Sequence, residues 1–599
     1  MKAKTKPRSQ KLPLLLTIGA AALLIGGGAV TYWLVSRQGR LSVMPVGVNV
    51  VPQDALMVVS VSTEPNQWER LRSFGTPRSQ AAFDQNLAQL RDRFLTSKGL
   101  DFQRDVQPWV GKEVTLALLS PQLGVSVPSP SQPAQPANTE PTILVLPIAD
   151  PIKAKEVLDQ SPATKGGQWS VRNYKGVDIR EMLGNSAQST SIAALDAQWV
   201  LVGTTPKAID RAIDTYKGGK ALSSTPGYGN ALEQTKSEQS LARVYVNIPA
   251  LVNSSAANTN RPVPSQGLMN QLQQNQGLAA TATIEPDGIQ FKTIWWLTPD
   301  SKQRFEGKNN AKIMPSRLPA ETLRMASGGN LKQFWQEFTQ GASSSLVRYL
   351  FPQGLLSNPE QLRQGVKSSV GLDLEQDLLN WMQGEFALAL IPAPQRSSPT
   401  LPTSPTSLVF MVQSNDRRGA EKTLKQLDEL MSSKYTFKVE AANVGGQPVV
   451  NWSLPTGGVS VTHGWLDGDV TFLSLNLGAS AVPSFLPKPA SSLAESEAFR
   501  QTTKTALAQN NGHFFMDVDR ALSLNNFFPL LQPPPVNRMV LEATKSIGVT
   551  SAVTSDSTTR YDIFVTLQKG NPPGVLPSPS ASPSKGASPL PLPSASPSP

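Results

Sequence analysis

Gly99-Leu100-Asp101-Phe102-Gln103-Arg104-Asp105 runs on through Trp109 and Glu113 to Leu116-Ala117-Leu118. The same script returns as Gly371-Leu372-Asp373-Leu374-Glu375-Gln376-Asp377, with Trp381, Glu385 and Leu388-Ala389-Leu390. The offset is a constant 272, and nine of twenty positions are identical without a gap. A unit written twice has to be recognised before any motif inside it is given a meaning. After each copy comes a strand-like run and then a proline-rich insert, 121–141 and 392–405. A further apolar strand follows each insert, Ile143-Leu144-Val145-Leu146 and Leu408-Val409-Phe410-Met411.

The correspondence continues at a drifting offset, as insertions in loops require. Asp150 opens a helix reaching Val157-Leu158. Asp416 opens another in which Ala420, Leu424, Leu427 and Met431 recur at intervals of three and four, giving one apolar face. Both aspartates suit N-caps, where a carboxylate accepts from unpaired amides of the first turn. Two-stranded patterns centre on Tyr174-Lys175-Gly176 and Val444-Gly445-Gly446, with glycine supplying the positive φ of a tight hairpin. Strands follow at Trp199-Val200-Leu201-Val202 and Val470-Thr471-Phe472-Leu473, then at Arg243–Val246 and His513–Met516. Each half closes on a strand, Ile289 to Leu297 and Arg560 to Leu567. The pattern predicts an α+β class: two tandem, internally duplicated units at 50–300 and 315–568, with antiparallel sheets covered by amphipathic helices. A linker near 298–317 joins them.

The chain ends differ from this body. Of the net charge of +11, seven positive charges lie in residues 1–40, on Lys2, Lys4, Lys6, Arg8, Lys11, Arg37 and Arg40, leaving +4 for everything else. A nucleic-acid binder carries its basic residues on a folded face, so no nucleic acid is expected as a partner. Leu12 to Ser36 is 25 residues without a charge, long enough to cross a bilayer. This predicts a basic cytoplasmic leader at 1–11 and a transmembrane signal-anchor helix at 12–36, with the lipid bilayer as its partner. It is favoured over a cleaved signal peptide, whose apolar core is shorter. Five basic residues before the span against two after it put the N-terminus in the cytoplasm and the body outside it. The tail, 571–599, has ten prolines in 29 residues, a composition that buries no core and favours extended chain.

At this point the chain resembles a cyanobacterial family known only as domain of unknown function 3352. The resemblance rests on the basic leader and span and on Pro52-Gln53-Asp54-Ala55 and Leu318-Pro319-Ala320-Glu321, which open the halves. The Gly-Leu-Asp…Trp…Glu blocks and the Pro/Ser tail complete it. It implies a cyanobacterial cell and a body in the periplasm or thylakoid lumen, with envelope or thylakoid proteins as partners. The family supplies no activity and no site residues.

The search for chemistry narrows quickly. There is no cysteine, so disulfides, thiolate nucleophiles and thiolate metal sites are excluded. Only His463 and His513 remain as imidazoles. No nucleophile elbow, P-loop, His-Glu-x-x-His or dinucleotide fingerprint occurs, and Ser582 to Lys585 matches Ser-x-x-Lys only inside the tail. His463 stands close to Asp467-Gly468-Asp469, but Asp467-Gly468 between apolar runs is a hairpin turn, and the first half has Asp196-Ala197-Gln198 there without a histidine. Asp517-Val518-Asp519 offers too few oxygens for calcium; Asp517 and its counterpart Asn247 suit helix caps. Trp109 and Trp381 read as core anchors. Glu113 and Glu385 read as partners of a Lys or Arg rather than as ligands.

No catalytic, cofactor or metal residue is therefore assigned and no cofactor is expected. The reading is a membrane-anchored, extracytoplasmic, non-enzymatic binding, scaffold or assembly protein, with loops 121–141 and 392–405 as contact points. The alternative is a hydrolase or carbohydrate-active enzyme using paired carboxylates from Asp101, Glu113, Asp373 and Glu385. Such a pair has to lie about 5–10 Å apart.

Overall fold

The computed structural model describes residues 44–94, 102–120, 141–159, 168–183, 190–256, 272–339, 359–393, 406–455, 460–476, 484–523 and 535–577. Ten strands belong to the first half. These are β1 (Met57–Ser62), β2 (Glu113–Leu118), β3 (Thr142–Pro147), β4 (Gln168–Tyr174), β5 (Val177–Leu183), β6 (Thr190–Leu195), β7 (Trp199–Gly203), β8 (Ser240–Asn247), β9 (Asn275–Glu285) and β10 (Gly288–Leu297). Ten follow in the second: β11 (Arg324–Gly328), β12 (Phe386–Pro392), β13 (Thr406–Gln413), β14 (Lys438–Val444), β15 (Gln447–Ser453), β16 (Ser460–Leu466), β17 (Val470–Leu475), β18 (Gly512–Asp517), β19 (Thr544–Ser555) and β20 (Thr558–Leu567).

All twenty form one sheet, and every pairing is antiparallel. Its spatial order is β4-β5-β6-β7-β3-β2-β1-β8-β9-β10, then β20-β19-β18-β11-β12-β13-β17-β16-β15-β14. The second half retraces the first in reverse about the β10–β20 joint. Gly288 and Thr558 each open their strand after the preceding hairpin, and the register pairs Lys292 with Asp562, the residues four positions further on in each strand. Counterpart residues thus face each other at the centre, as a local twofold axis demands.

This corrects the expected architecture. Two tandem α+β units with a sheet each would leave β10 and β20 as edges with unpaired amides and carbonyls. Instead, nine residue pairs, from Gly288↔Thr566 to Trp296↔Thr558, join those edges into one 20-stranded sheet. An exposed edge is a template for pairing, and each half covers the edge of the other.

The expectation of a transmembrane signal-anchor, of a single-pass membrane protein and of a bilayer partner is corrected as well. Among the described residues no helix is long and apolar enough to cross a membrane. A span takes about 20 mainly apolar residues. The long described helices, Pro77–Phe94 and Arg417–Ser433, carry charge along their length. Residues 1–11 and 12–36 themselves lie outside the described residues, as does the tail from 578.

Both faces of the sheet are packed. Successive strand residues point to opposite sides, so Val58, Ala279 and Ile294 enter one core with Ile209 and Ile213 of the helix Pro206–Tyr216. Val61, Ala280 and Phe291 enter the other with Trp68 of the helix Pro65–Arg72, Leu87 and Val252. In the second half Met325, Met411 and Phe515 pack with Phe485 and Phe499 on one side. Trp381, Val412 and the flanking Phe386 and Phe410 pack on the other. The prolines have a local reason: Pro65, Pro77, Pro151, Pro206, Pro359 and Pro535 each stand first in a helix, where the missing N–H has no intrahelical partner to lose. Beyond β20 the chain crosses back to the first half. Gly570 N–H donates to the Ser73 carbonyl, and the buried Arg72 guanidinium donates to both Asp84 and the Gly574 carbonyl.

Candidate functional site

The repeated positions come first, because the structure separates their shared work from their differences. Trp109 and Trp381 are both buried. Each donates its indole N–H to the carbonyl four residues before it, Asp105 at 2.8 Å and Asp377 at 3.0 Å. Both act as packing anchors with a satisfied polar handle. Glu385 is 5% exposed and accepts from the backbone amides of Lys312, Ile313 and Met314 at 2.8–3.0 Å. It fastens the linker to the start of β12. Glu113 is equally buried, and the Val46 amide supports its charge at the matching entry segment. Arg243 lies 3.4 Å away, and the Ser60 hydroxyl also supports the charge. Burial outweighs that cation and the hydrogen bonds, pushing the Glu113 carboxyl upward. A void of about 10 Å³, room for a single water, lies beside Glu113, Gln67 and Arg243.

Of the carboxylates of the enzyme alternative, Glu113 and Glu385 are not brought together. Glu113 on β2 and Glu385 just before β12 are separated by eight strands, which at the ordinary strand spacing is roughly 40 Å along the sheet. Asp373 caps a helical turn by accepting from the amides of Glu375 and Gln376. Asp101 lies outside the described residues, as do Ser582 and Lys585, and so does each proline-rich insert apart from Pro141 and the residues 392–393.

The remaining candidates have structural partners. Asp467 and Gly468 form the turn between β16 and β17, while His463, buried, puts Nε2 2.9 Å from Asp428 Oδ1. Trp452 donates its indole N–H to the same oxygen at 2.6 Å and meets the imidazole edge-on. Sequence reading missed Asp428, which sits on the amphipathic helix beside Leu427. Asp517 accepts from the Arg520 amide, Asn247 from the Ala250 amide, and Asp519 from the Gln568 side chain. Among the described residues no group of three or more His, Cys, Asp or Glu is placed to hold a metal.

The site that sequence reading did not find is a cavity of about 120 Å³ between the sheet and the helix Leu331–Thr339. Phe334 comes from that helix, Phe386 from β12, Phe410 from β13 and Phe514 from β18, with Glu337, Asn330 and Asn511 among the polar lining groups. The strand register explains why these side chains meet. Ala326 pairs with Leu388 and Phe514, Leu388 with Phe410, and Phe514 with Val549, so one face of five adjacent strands supplies the floor. Gly328 is required there, because a Cβ would lie 2.6 Å from the Phe386 ring. The same register puts Val61 where the second half has Gly328, Val244 where it has Phe514, and Ala282 where it has Ser551. In the first half those residues are packed solid under Trp68 and Leu71.

The cavity has one acidic lining group. Glu337 accepts from Gln333 at 3.1 Å, and burial, reinforced by the charge of Glu306, pushes its carboxyl upward. Burial also keeps the Tyr561 hydroxyl protonated, with Glu337 adding to the effect. His513 belongs to the other face of the sheet. Its Nδ1 is 3.0 Å from Thr550 Oγ1, its ring meets Phe499, and desolvation pushes it down to about 4.

Comparison with known proteins gives the chain a family without giving it an activity. The family model described as "Protein of unknown function (DUF3352)" matches residues 16–567, and the chain belongs to that family. No curated protein matches. Among solved structures, crystal form I of TP0453 is 11% identical, with 46% of this chain and 82% of that chain covered and a TM-score of 0.24. Crystal form III of TP0453 is 12% identical over 46% and 84%, with a TM-score of 0.22.

Proposed function

We propose that this DUF3352 protein, of cyanobacterial source as the sequence resemblance implies, is a non-enzymatic binding and scaffold protein. Its second half receives a small apolar group of a ligand or partner. The observation that carries this reading is the contrast between counterpart positions. Where the first half has Val61, Val244 and Ala282 in a filled core, the second has Gly328, Phe514 and Ser551 around an aromatic cavity. An apolar cavity of about 150 Å³ is known to stay dry and take up benzene, so about 120 Å³ suits a single ring or a short branched chain. Large apolar cavities cost stability in proportion to their volume, and retaining one is consistent with a use for it.

The test is a thermal-shift titration of the full chain with toluene. A ligand that binds only the folded state raises the melting temperature with concentration. The wild-type protein is expected to respond. Val549→Phe, which places a ring in the cavity, is expected to melt at or above the wild-type temperature and to lose the response. A wild-type melt that toluene leaves unmoved, or one that moves equally in Val549→Phe, rejects the reading.

A further inference from the structure

Resting on the binding reading above, we propose that the cavity under the helix Leu331–Thr339 selects an organic ammonium group, an arylalkyl amine or a branched alkyl amine. Its apolar part would fill the phenylalanine-walled space and its nitrogen would lie at the Glu337 carboxylate. Three observations converge on that chemistry.

The first is charge. Glu337 is the one acidic side chain among the lining residues, and among the described residues its hydrogen-bond donor is the neutral Gln333 amide. The charge of Glu306 raises the Glu337 carboxyl further. A half-buried carboxyl without a cation among the described residues resists ionising, and a ligand cation favours its ionised form where a neutral or anionic ligand does not.

The second is the wall. Phe334 and Phe386 stand 5.5 Å apart between ring centroids at 44°, and with Phe410 and Phe514 they give the cavity four rings. Ring faces carry the negative part of the aromatic quadrupole, and assemblies of rings are a recurring way to hold substituted ammonium ions. This cluster already holds one cation, since the Arg324 guanidinium carbon lies 5.4 Å from the Phe514 centroid. That leaves Phe334, Phe386 and Phe410 for a ligand.

The third is size. A cavity of about 120 Å³ is matched to one aromatic ring bearing a short aminoalkyl arm.

The experiment compares benzylammonium, toluene and benzoate by calorimetric titration into the full chain at neutral pH. Benzylammonium is expected to bind at least ten-fold more tightly than toluene, with no measurable benzoate binding. Glu337→Gln is expected to abolish the ammonium advantage and keep toluene binding. Phe410→Leu is a second variant that keeps the volume apolar, and it should weaken benzylammonium more than toluene. If toluene binds as tightly as benzylammonium, the cation inference fails and the apolar cavity stands. If none of the three binds, both fail. An ammonium advantage that survives Glu337→Gln, or that Phe410→Leu leaves untouched, also overturns the inference.

Discussion

Replacing Glu385 by Gln tests the assembly of the second half most directly. The carboxylate accepts from Lys312 N–H with Oε2, from Met314 N–H with Oε1, and from Ile313 N–H with both oxygens, while only 5% of the residue meets solvent. A glutamine keeps one acceptor oxygen and turns an NH₂ group toward amides that are donors themselves. Two charge-assisted bonds are then lost, each worth about 1.5–3 kcal/mol, so the expected cost is about 3–6 kcal/mol. That is a large part of the roughly 5–15 kcal/mol by which folded domains exceed unfolded ones. Urea unfolding followed by tryptophan fluorescence should therefore move to clearly lower denaturant. A local readout separates this from general damage. At about 1.4 kcal/mol per factor of ten, hydrogen exchange at the amides of Lys312, Ile313 and Met314 should accelerate by two orders of magnitude or more relative to the amides of β6. A Glu385→Gln protein within about 1 kcal/mol of the parent, or one whose three amides exchange at the parental rate, would refute the fastening role.

Other consequences follow from the same geometry. His513 is held down to about 4 when folded, against an ordinary value of 6.5, so the unfolded chain takes up a proton first as pH falls. The stability contributed by its neutral form is present above about pH 6.5 and is lost toward pH 4, by on the order of 2 kcal/mol once partial exposure is allowed for. The raised carboxyls of Glu337 and Asp517 act in the opposite sense. The measurement is therefore the pH dependence of the difference between wild type and His513→Gln, and a flat difference from pH 4 to 7 contradicts the assignment. Gly288 has φ +156° and a Cβ there would lie 2.0 Å from the Val565 carbonyl oxygen, so Gly288→Ala should destabilise by at least about 2 kcal/mol. Gly176→Ala, at φ +81° in open space, should cost about 1 kcal/mol. Equal melting temperatures for the two variants would contradict the close joint between β10 and β20. Trp109→Ala and Trp381→Ala should each cost about 3–5 kcal/mol, and a neutral result for either in urea unfolding would remove it as an anchor.

Much of the local structure was legible because it follows from residues near one another in the chain. The Asp150 carboxylate meets the amides of Ile152 and Lys153, and the Asp416 carboxylate meets that of Gly419. Lys175-Gly176 and Gly445-Gly446 take the positive φ values of hairpin turns. The joining of the halves was not legible, since it depends on backbone pairing between strands about 270 residues apart. One signal was available. Ile289, Phe291, Ile294, Trp295 and Trp296 put apolar side chains on both faces of β10, a pattern of an interior strand rather than an edge. Nor did the sequence point to Asp428, which reaches His463 across 35 residues from a helix face otherwise defined by its leucines.

The cavity was hidden for a different reason, and that reason bears on where function sits in a duplicated fold. A search for residues that recur in both copies finds what both copies must bury, which is why it led to Trp109 with Trp381 and to Glu113 with Glu385. Those pairs hold the halves in shape. A residue that serves a task found in only one half must differ from its counterpart, so it is invisible to self-comparison by identity. It becomes visible once strand register fixes which residues are counterparts. Arg243 opposite Ser60 and His513 hydrogen-bonded beside Ser327 occupy one such place, and Val61 against Gly328 another. In the first of these places both residues are built into the sheet, and beside Arg243 there is room for no more than a single water. In the second the change from valine to glycine removes a side chain, admits the Phe386 ring and opens space beneath a helix carrying an ionisable group. Only the second divergence creates room for another molecule. That is the physical ground for the proposal that the second half binds, and for directing ligand experiments there.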